Sequence, residues 1–192
     1  ERIAHASMLI KALQDSTYLV HIYEGILQNP QFKKRVTHHD TKISNVLFDE
    51  TNKGICVIDL DTVMPGYFIS DVGDMMRTYL SAAGEEETSF EKIDVRENYF
   101  DAIVQGYLGE MSSKLSADEI KHFVYAGQFM IYMQALRFAT DYLSNDIYYG
   151  AKYPLHNYNR AYNQLTLLNR LNEKKKKLNA TVEDFCATIL KT

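Results

Sequence analysis

Apolar side chains recur at helical spacing over residues 2 to 28: Ile3, Ala6, Leu9, Ile10 and Leu13, then Leu19, Ile22, Tyr23, Ile26 and Leu27. Positions three and four apart share a helix face, so this stretch predicts one or two helices. They should end near Asn29-Pro30, because proline disfavours helical backbone in the residue before it. The period then changes. Val46-Leu47-Phe48 and Ile55-Cys56-Val57-Ile58 are short β-type runs flanking Asp49 to Gly54, a polar stretch with glycine, and they predict a hairpin. Met64-Pro65-Gly66 reads as a turn. Helical spacing then returns. One helix is expected over 72–83, stopping at Gly84 and an acidic loop, and another over 93–108. Ser116 with Glu119 forms a capping box that opens a long helix to about Ser144. A further helix covers 155–177, and Thr181 caps a last one reaching Leu190. The chain is predicted mainly α with one small β-hairpin.

Composition narrows the classes. The 192 residues suit one domain, and 46% hydrophobic content with 14 Tyr and no Trp is ample for a core. The formal charge is −4 and the basic residues form no stripe, which argues against a nucleic-acid partner. No apolar run reaches about 18 residues and no signal-peptide pattern is present, so neither a membrane span nor export is expected. Cys56 and Cys186 lie far apart, as in a reducing compartment, and a cytoplasmic location is expected. Lys174 to Lys177 reads as a solvated helix end near a favourable dipole.

The candidate chemistry lies in His38-His39-Asp40-Thr41-Lys42-Ile43-Ser44-Asn45, followed by Val57-Ile58-Asp59-Leu60-Asp61. An Asp follows a His by two positions, an Asn follows that Asp by five, and a second Asp stands inside an apolar run. Phosphoryl transfer needs this order: a carboxylate at the acceptor hydroxyl, then an amide and a carboxylate on Mg²⁺. A hairpin between Asn45 and Asp59 would let both ligands converge on one ion. Zinc is disfavoured, because adjacent His38 and His39 side chains diverge and no distant third ligand stands out.

These motifs resemble the aminoglycoside phosphotransferase and choline kinase group, whose catalytic lobe is like that of protein kinases. Three further segments bring the likeness closer to the bacterial N-acetylhexosamine 1-kinases. They are Asp59-Leu60-Asp61-Thr62-Val63-Met64-Pro65-Gly66, Asp71-x-Gly73-Asp74-x-x-Arg77, and a late stretch with Leu136-Arg137-Phe138, Asp141, Asp146, Tyr148-Tyr149, His156-Asn157 and Arg160. The resemblance spans about residues 30 to 175. It departs in one respect: none of the nine glycines forms G-x-G, and no strand lysine precedes His38. The resemblance therefore implies that residues 1–192 are the C-terminal lobe of a protein-kinase-like fold, without the lobe that covers the nucleotide. An uncovered lobe interface around the hairpin would favour self-association.

Roles follow residue by residue. Asp40 is the expected acceptor-hydroxyl carboxylate, and Lys42 the charge that meets the transferring phosphate. Asn45 and Asp59 are the expected Mg²⁺ and nucleotide-phosphate ligands. Asp61 is either a further metal carboxylate or a hydrogen-bond partner of the loop. His38 is expected to pack beneath the loop, and Asp71 either to brace it or to cap a helix. Arg137, Asp141, Tyr148, His156 and Arg160 are candidate sugar-binding residues, or else a network tying the last helices together. The resemblance implies ATP- and Mg²⁺-dependent transfer to a sugar hydroxyl. An aminoglycoside, choline or homoserine acceptor, or a non-catalytic helical scaffold, are the alternatives.

Overall fold

The structure, a computed structural model, describes residues 1–189. Three helical segments come first: α1 (Arg2–His5), α2 (Ser7–Asp15) and α3 (Tyr18–Gln28). The one or two helices expected here are broken where the Ser16 and Thr17 hydroxyls donate to the carbonyls of Ala12 and Gln14. Such bonds offer the backbone an alternative to continuing the helix. The stop before Pro30 is as expected: Asn29 has extended backbone (φ −92°, ψ 112°).

The hairpin is present as β2 (Val46–Phe48) and β3 (Gly54–Val57), antiparallel, with a register irregularity between Leu47 and Phe48. A second two-stranded sheet went unforeseen. It pairs β1 (Arg35–Thr37) with β4 (Met64–Gly66), so residues 64–66 form a strand and not a turn. Pro65 lies opposite Val36. A two-stranded sheet tolerates it because each strand keeps one unpaired edge. Gly66 is required there, since a Cβ would stand 2.5 Å from the His39 ring and from Thr37 Oγ1.

The helical body follows as α4 (Phe68–Tyr79), α5 (Glu97–Met111), α6 (Ala117–Lys121), α7 (Phe123–Leu143) and α8 (His156–Ile189). α4 starts four residues earlier than expected, because Phe68 and Ile69 join Val72 and Met76 on its buried face. α5 begins at Glu97 rather than 93, while Ile93 and Val95 enter the core from the preceding loop. The Ser116/Glu119 capping box forms with both reciprocal bonds. The long helix it was expected to open is nevertheless interrupted at His122, whose backbone turns (φ −95°, ψ 13°) while its ring bonds the Asp118 carbonyl. The two expected last helices are one. Thr181 lies inside α8, not at a cap, because 155–189 holds no Gly or Pro and Leu171, Leu178 and Val182 extend one buried stripe. Lys174 and Lys177 therefore sit within the helix, paired with Asp94 and Glu97, rather than at its end. The expected terminus at Leu190 lies outside the described residues.

α7 is the axis of the core, packed between α4 and α8. Gly73 and Gly127 allow close approach of α4 to α7: a Cβ on Gly73 would strike the Ala126 carbonyl. The N-terminal helices dock through buried tyrosines. Tyr132 donates to the Leu13 carbonyl and Tyr125 to that of Leu19. Their hydroxyl acidity is suppressed by burial. The two small sheets lie outside this core, and the loop from β1 to the hairpin is held against α4.

Candidate active site

The segment from His38 to Asn45 is fixed from below by α4. Asp71, in the first turn of α4, accepts the backbone N–H of His38 (3.0 Å to each oxygen) and of His39 (2.8 Å). It is not the helix N-cap, a position held by Tyr67. Thr41 donates to the Asp71 carbonyl, and Tyr79 donates to the Thr41 carbonyl. Burial, with the nearby Asp74 carboxylate, pushes the Tyr79 phenol up to about 12, so it stays a donor.

Both histidines are structural by their contacts. His38 Nδ1 accepts the Asp40 N–H (3.3 Å), which leaves its Nε2–H to donate to the Ile58 carbonyl (3.0 Å). That bond ties the loop to the residue before Asp59. Thr37 donates to the Met64 carbonyl, so its hydroxyl oxygen must accept His39 Nε2–H at 2.7 Å. His39 has left-handed backbone (φ 68°) at the turn that leads into Asp40.

Asp40 Oδ2 is the hub of the loop. It accepts Lys42 Nζ at 2.7 Å and Asn45 Nδ2 at 2.9 Å. Burial by itself pushes the Asp40 carboxyl up, but the bonds from Lys42 and Asn45 outweigh it and hold the group below the usual carboxylate range. The same contact raises Lys42 above the ordinary lysine value. Lys42 also lies 3.9 Å from Asp59 Oδ2, so one ammonium bridges both carboxylates. The backbone supports this convergence: Ile58 N–H donates to the Asn45 carbonyl at 2.9 Å, and Asp59 is left-handed (φ 62°, ψ 57°).

Asn45 is buried, and its amide nitrogen is committed to Asp40. Its side-chain oxygen is the ligand atom that remains. With the half-exposed Asp59 this gives two hard oxygen donors, a set suited to Mg²⁺, which takes few protein groups and completes its shell with water and phosphate. Among the described residues no cluster of three or more His, Cys, Asp or Glu forms a full cage. Asp61 stands exposed on the short 3₁₀ turn Leu60–Thr62 and has no hydrogen bond or ion pair among the described residues. The loop is instead bonded by its neighbour, Thr62 Oγ1 donating to the His38 carbonyl at 2.6 Å.

A polar cleft of about 360 Å³ opens beside Asp40 and Lys42. Of the late candidates, Arg137 and Arg160 reach its wall. Asp141, Tyr148 and His156 do not. Asp141 is buried and accepts the N–H groups of Tyr148 and Tyr149 and the amide of Asn157. Tyr148 is 75% exposed and faces a neighbouring apolar pocket. His156 is buried, with Nε2 3.5 Å from Glu86. Asp141 thus ties the two ends of the 141–157 turn together.

Sequence reasoning missed Arg77, Glu85, Asn163 and Gln164 on the cleft wall. Arg77 lies within a motif already noted, but Glu85 sits in a run of three glutamates with nothing to single it out. Buried Asp74 links loop to wall: it pairs with Arg77 at 2.8 Å and meets Thr41 Oγ1 at 3.5 Å. Burial raises its carboxyl, and Arg77 counters part of that.

An Asp held ionised by a lysine and an asparagine, with a second Asp brought alongside by a hairpin, is arranged to position a hydroxyl next to a bound phosphate. The likeness extends well beyond these residues. Positions 4–113, or 110 of the 192, match the sequence pattern of the phosphotransferase enzyme family. The chain therefore belongs to the phosphotransferase enzyme family.

Proposed function

We propose that this chain is the catalytic and acceptor-binding lobe of a sugar kinase, moving the γ-phosphate of ATP to a hydroxyl of an N-acetylhexosamine or a related sugar. Kinases of this family generally use ATP and Mg²⁺. The observation that carries the reading is the Asp40 hub at the mouth of a polar cleft. Asp40 is ionised and is a weak base. It would orient the acceptor hydroxyl and take its proton late, as a loose phosphoryl-transfer transition state requires. Lys42 would then exchange part of its contact with Asp40 for the transferring phosphoryl oxygens. Asn45 and Asp59 would hold Mg²⁺, which when bound neutralises charge on the phosphates.

Charge on the cleft wall bears on the acceptor. Lys42, Arg77, Arg137 and Arg160 face Asp40 and Glu85, so cations outnumber anions. A cationic aminoglycoside or choline would be repelled there, whereas a neutral sugar would find donors and acceptors. The exposed apolar residues Val36, Leu47, Ile55, Val57, Leu60 and Met64 on and around the two small sheets are read as surface toward a nucleotide-covering lobe. A non-catalytic scaffold would have no use for the Asp40, Asn45 and Asp59 set.

The test is full-length protein with ATP, Mg²⁺ and a panel of N-acetylhexosamines, choline and an aminoglycoside. Phosphosugar formation that Asp40→Asn reduces by about a thousandfold is expected. No phosphosugar, or undiminished turnover by the variant, would refute the reading.

A further inference from the structure

Glu85 lies in the loop between α4 and α5, and its two oxygens go to different arginines. Oε2 accepts from Arg77 at 3.2 Å, and Oε1 accepts from Arg160. Each arginine is itself anchored: Arg77 pairs with buried Asp74, and the Arg160 guanidinium lies 3.8 Å above the Phe138 ring. The loop backbone is fastened too. Asn163 Nδ2, from α8, donates to the Gly84 and Glu87 carbonyls at 3.0 Å each, and Glu86 pairs with Lys152 at 2.8 Å. The Glu85 carboxylate is therefore a fixed group on a fixed wall, not the tip of a free loop.

Its side chain nevertheless keeps 36% exposure and borders the same cleft as Asp40. An ionised carboxylate offers about four acceptor positions, and the two arginines occupy one on each oxygen. One position per oxygen remains. The side chain's exposure leaves the carboxylate open to the cleft. Paired open acceptors match two donors on neighbouring carbons: two hydroxyls, or a hydroxyl and an amide N–H. The flanking arginines cancel the charge that would otherwise recruit a cation.

We infer that Glu85 is a specificity-determining residue that takes two hydrogen bonds from adjacent donors on a neutral sugar acceptor. This rests on the sugar-kinase reading above. It deepens that reading by naming the part of the sugar that is recognised.

The experiment compares wild-type, Glu85→Gln and Glu85→Asp full-length protein, with the phosphorylated N-acetylhexosamine and with its analogue lacking one of the two neighbouring donors. The KM for the intact sugar should rise about tenfold or more in both variants, with kcat and the KM for ATP within about twofold. The deoxy analogue should be penalised against the intact sugar in wild type and much less in Glu85→Gln, a convergence that loss of packing alone does not produce. An unchanged sugar KM with a lowered melting temperature would make Glu85 a structural brace and overturn the inference. A higher kcat/KM in either variant would make it an obstruction, and would also overturn it. Should Glu85→Gln fail to fold, Glu85→Asp keeps the charge and still withdraws the oxygens. A wild-type sugar KM in that variant would overturn the inference as well. Sugar turnover by wild type with no effect in either variant sinks the inference alone. Wild-type turnover of choline or an aminoglycoside only, with no sugar phosphorylated, sinks the kinase reading and the inference with it.

Discussion

Lys42 Nζ stands 2.7 Å from Asp40 Oδ2, and each residue shifts the titration of the other. The Asp40 carboxyl lies below its ordinary value, so its ionised form persists to unusually low pH. We predict that the acid limb of kcat/KM assigned to this group falls below about pH 4, the ordinary carboxylate value. Lys42→Gln should move that limb to higher pH and lower kcat by about a hundredfold. The same shift contributes stability above the unfolded carboxylate value, lost as pH falls through the depressed one. A pH–rate profile of both proteins checks the direction.

Asp71 anchors the loop through backbone donors, so its removal should injure both fold and activity. Asp71→Ala leaves the N–H groups of His38 and His39 without their acceptor. A loss of about 2 kcal/mol in urea unfolding is expected. Turnover should fall more than acceptor KM rises, because Asp40 loses its aim rather than the cleft its shape.

Gly66 should tolerate no side chain. The Cβ of Gly66→Ala would meet the His39 ring and Thr37 Oγ1 at 2.5 Å, where two hydrogen bonds fix both groups. Destabilisation of about 1–3 kcal/mol is expected. A melting temperature equal to wild type would contradict the tight contact between β4 and the loop.

Glu119 is a buried carboxylate with a pH signature of its own. Its side chain is fully enclosed, accepts two bonds from Arg35 and two from the backbone N–H groups of Lys33 and Ser116, and pairs β1 to α6. Burial by itself raises its carboxyl, but those bonds prevail and lower it. Its contribution is therefore present above the unfolded glutamate value and lost as pH falls through the lowered one. Glu119→Gln should cost about 3 kcal/mol at neutral pH, leaving Arg35 facing a neutral group, and much less near pH 3. Denaturant titrations at the two pH values measure the difference.

What the sequence revealed and what it hid follow one physical line. The hairpin, the capping box at Ser116 and the stop before Pro30 depend on neighbours within a few residues, and all three are present. The Met64–Gly66 strand depends on a partner about thirty residues away, so a Pro-Gly pair read as a turn. The break at His122 is made by its ring bonding Asp118 while packing against Phe32, a contact across more than eighty positions. The site divides the same way. Asp40, Asn45 and Asp59 were visible as an ordered string. Glu85 became visible only when α4 and α8 brought Arg77 and Arg160 to either side of it. Asp141 and His156 lie away from the Asp40 cleft because the 141–157 turn folds them inward, a placement no local sequence signal carries.

The left-handed backbone at Asp59 has a cost of its own. A residue other than glycine held at φ 62° costs on the order of 1 kcal/mol. Asp59→Gly would relieve that cost but would also remove the carboxylate that stands 3.9 Å from Lys42. The left-handed turn at Asp59 therefore sets the local stability of the backbone against the placement of a carboxylate 3.9 Å from Lys42.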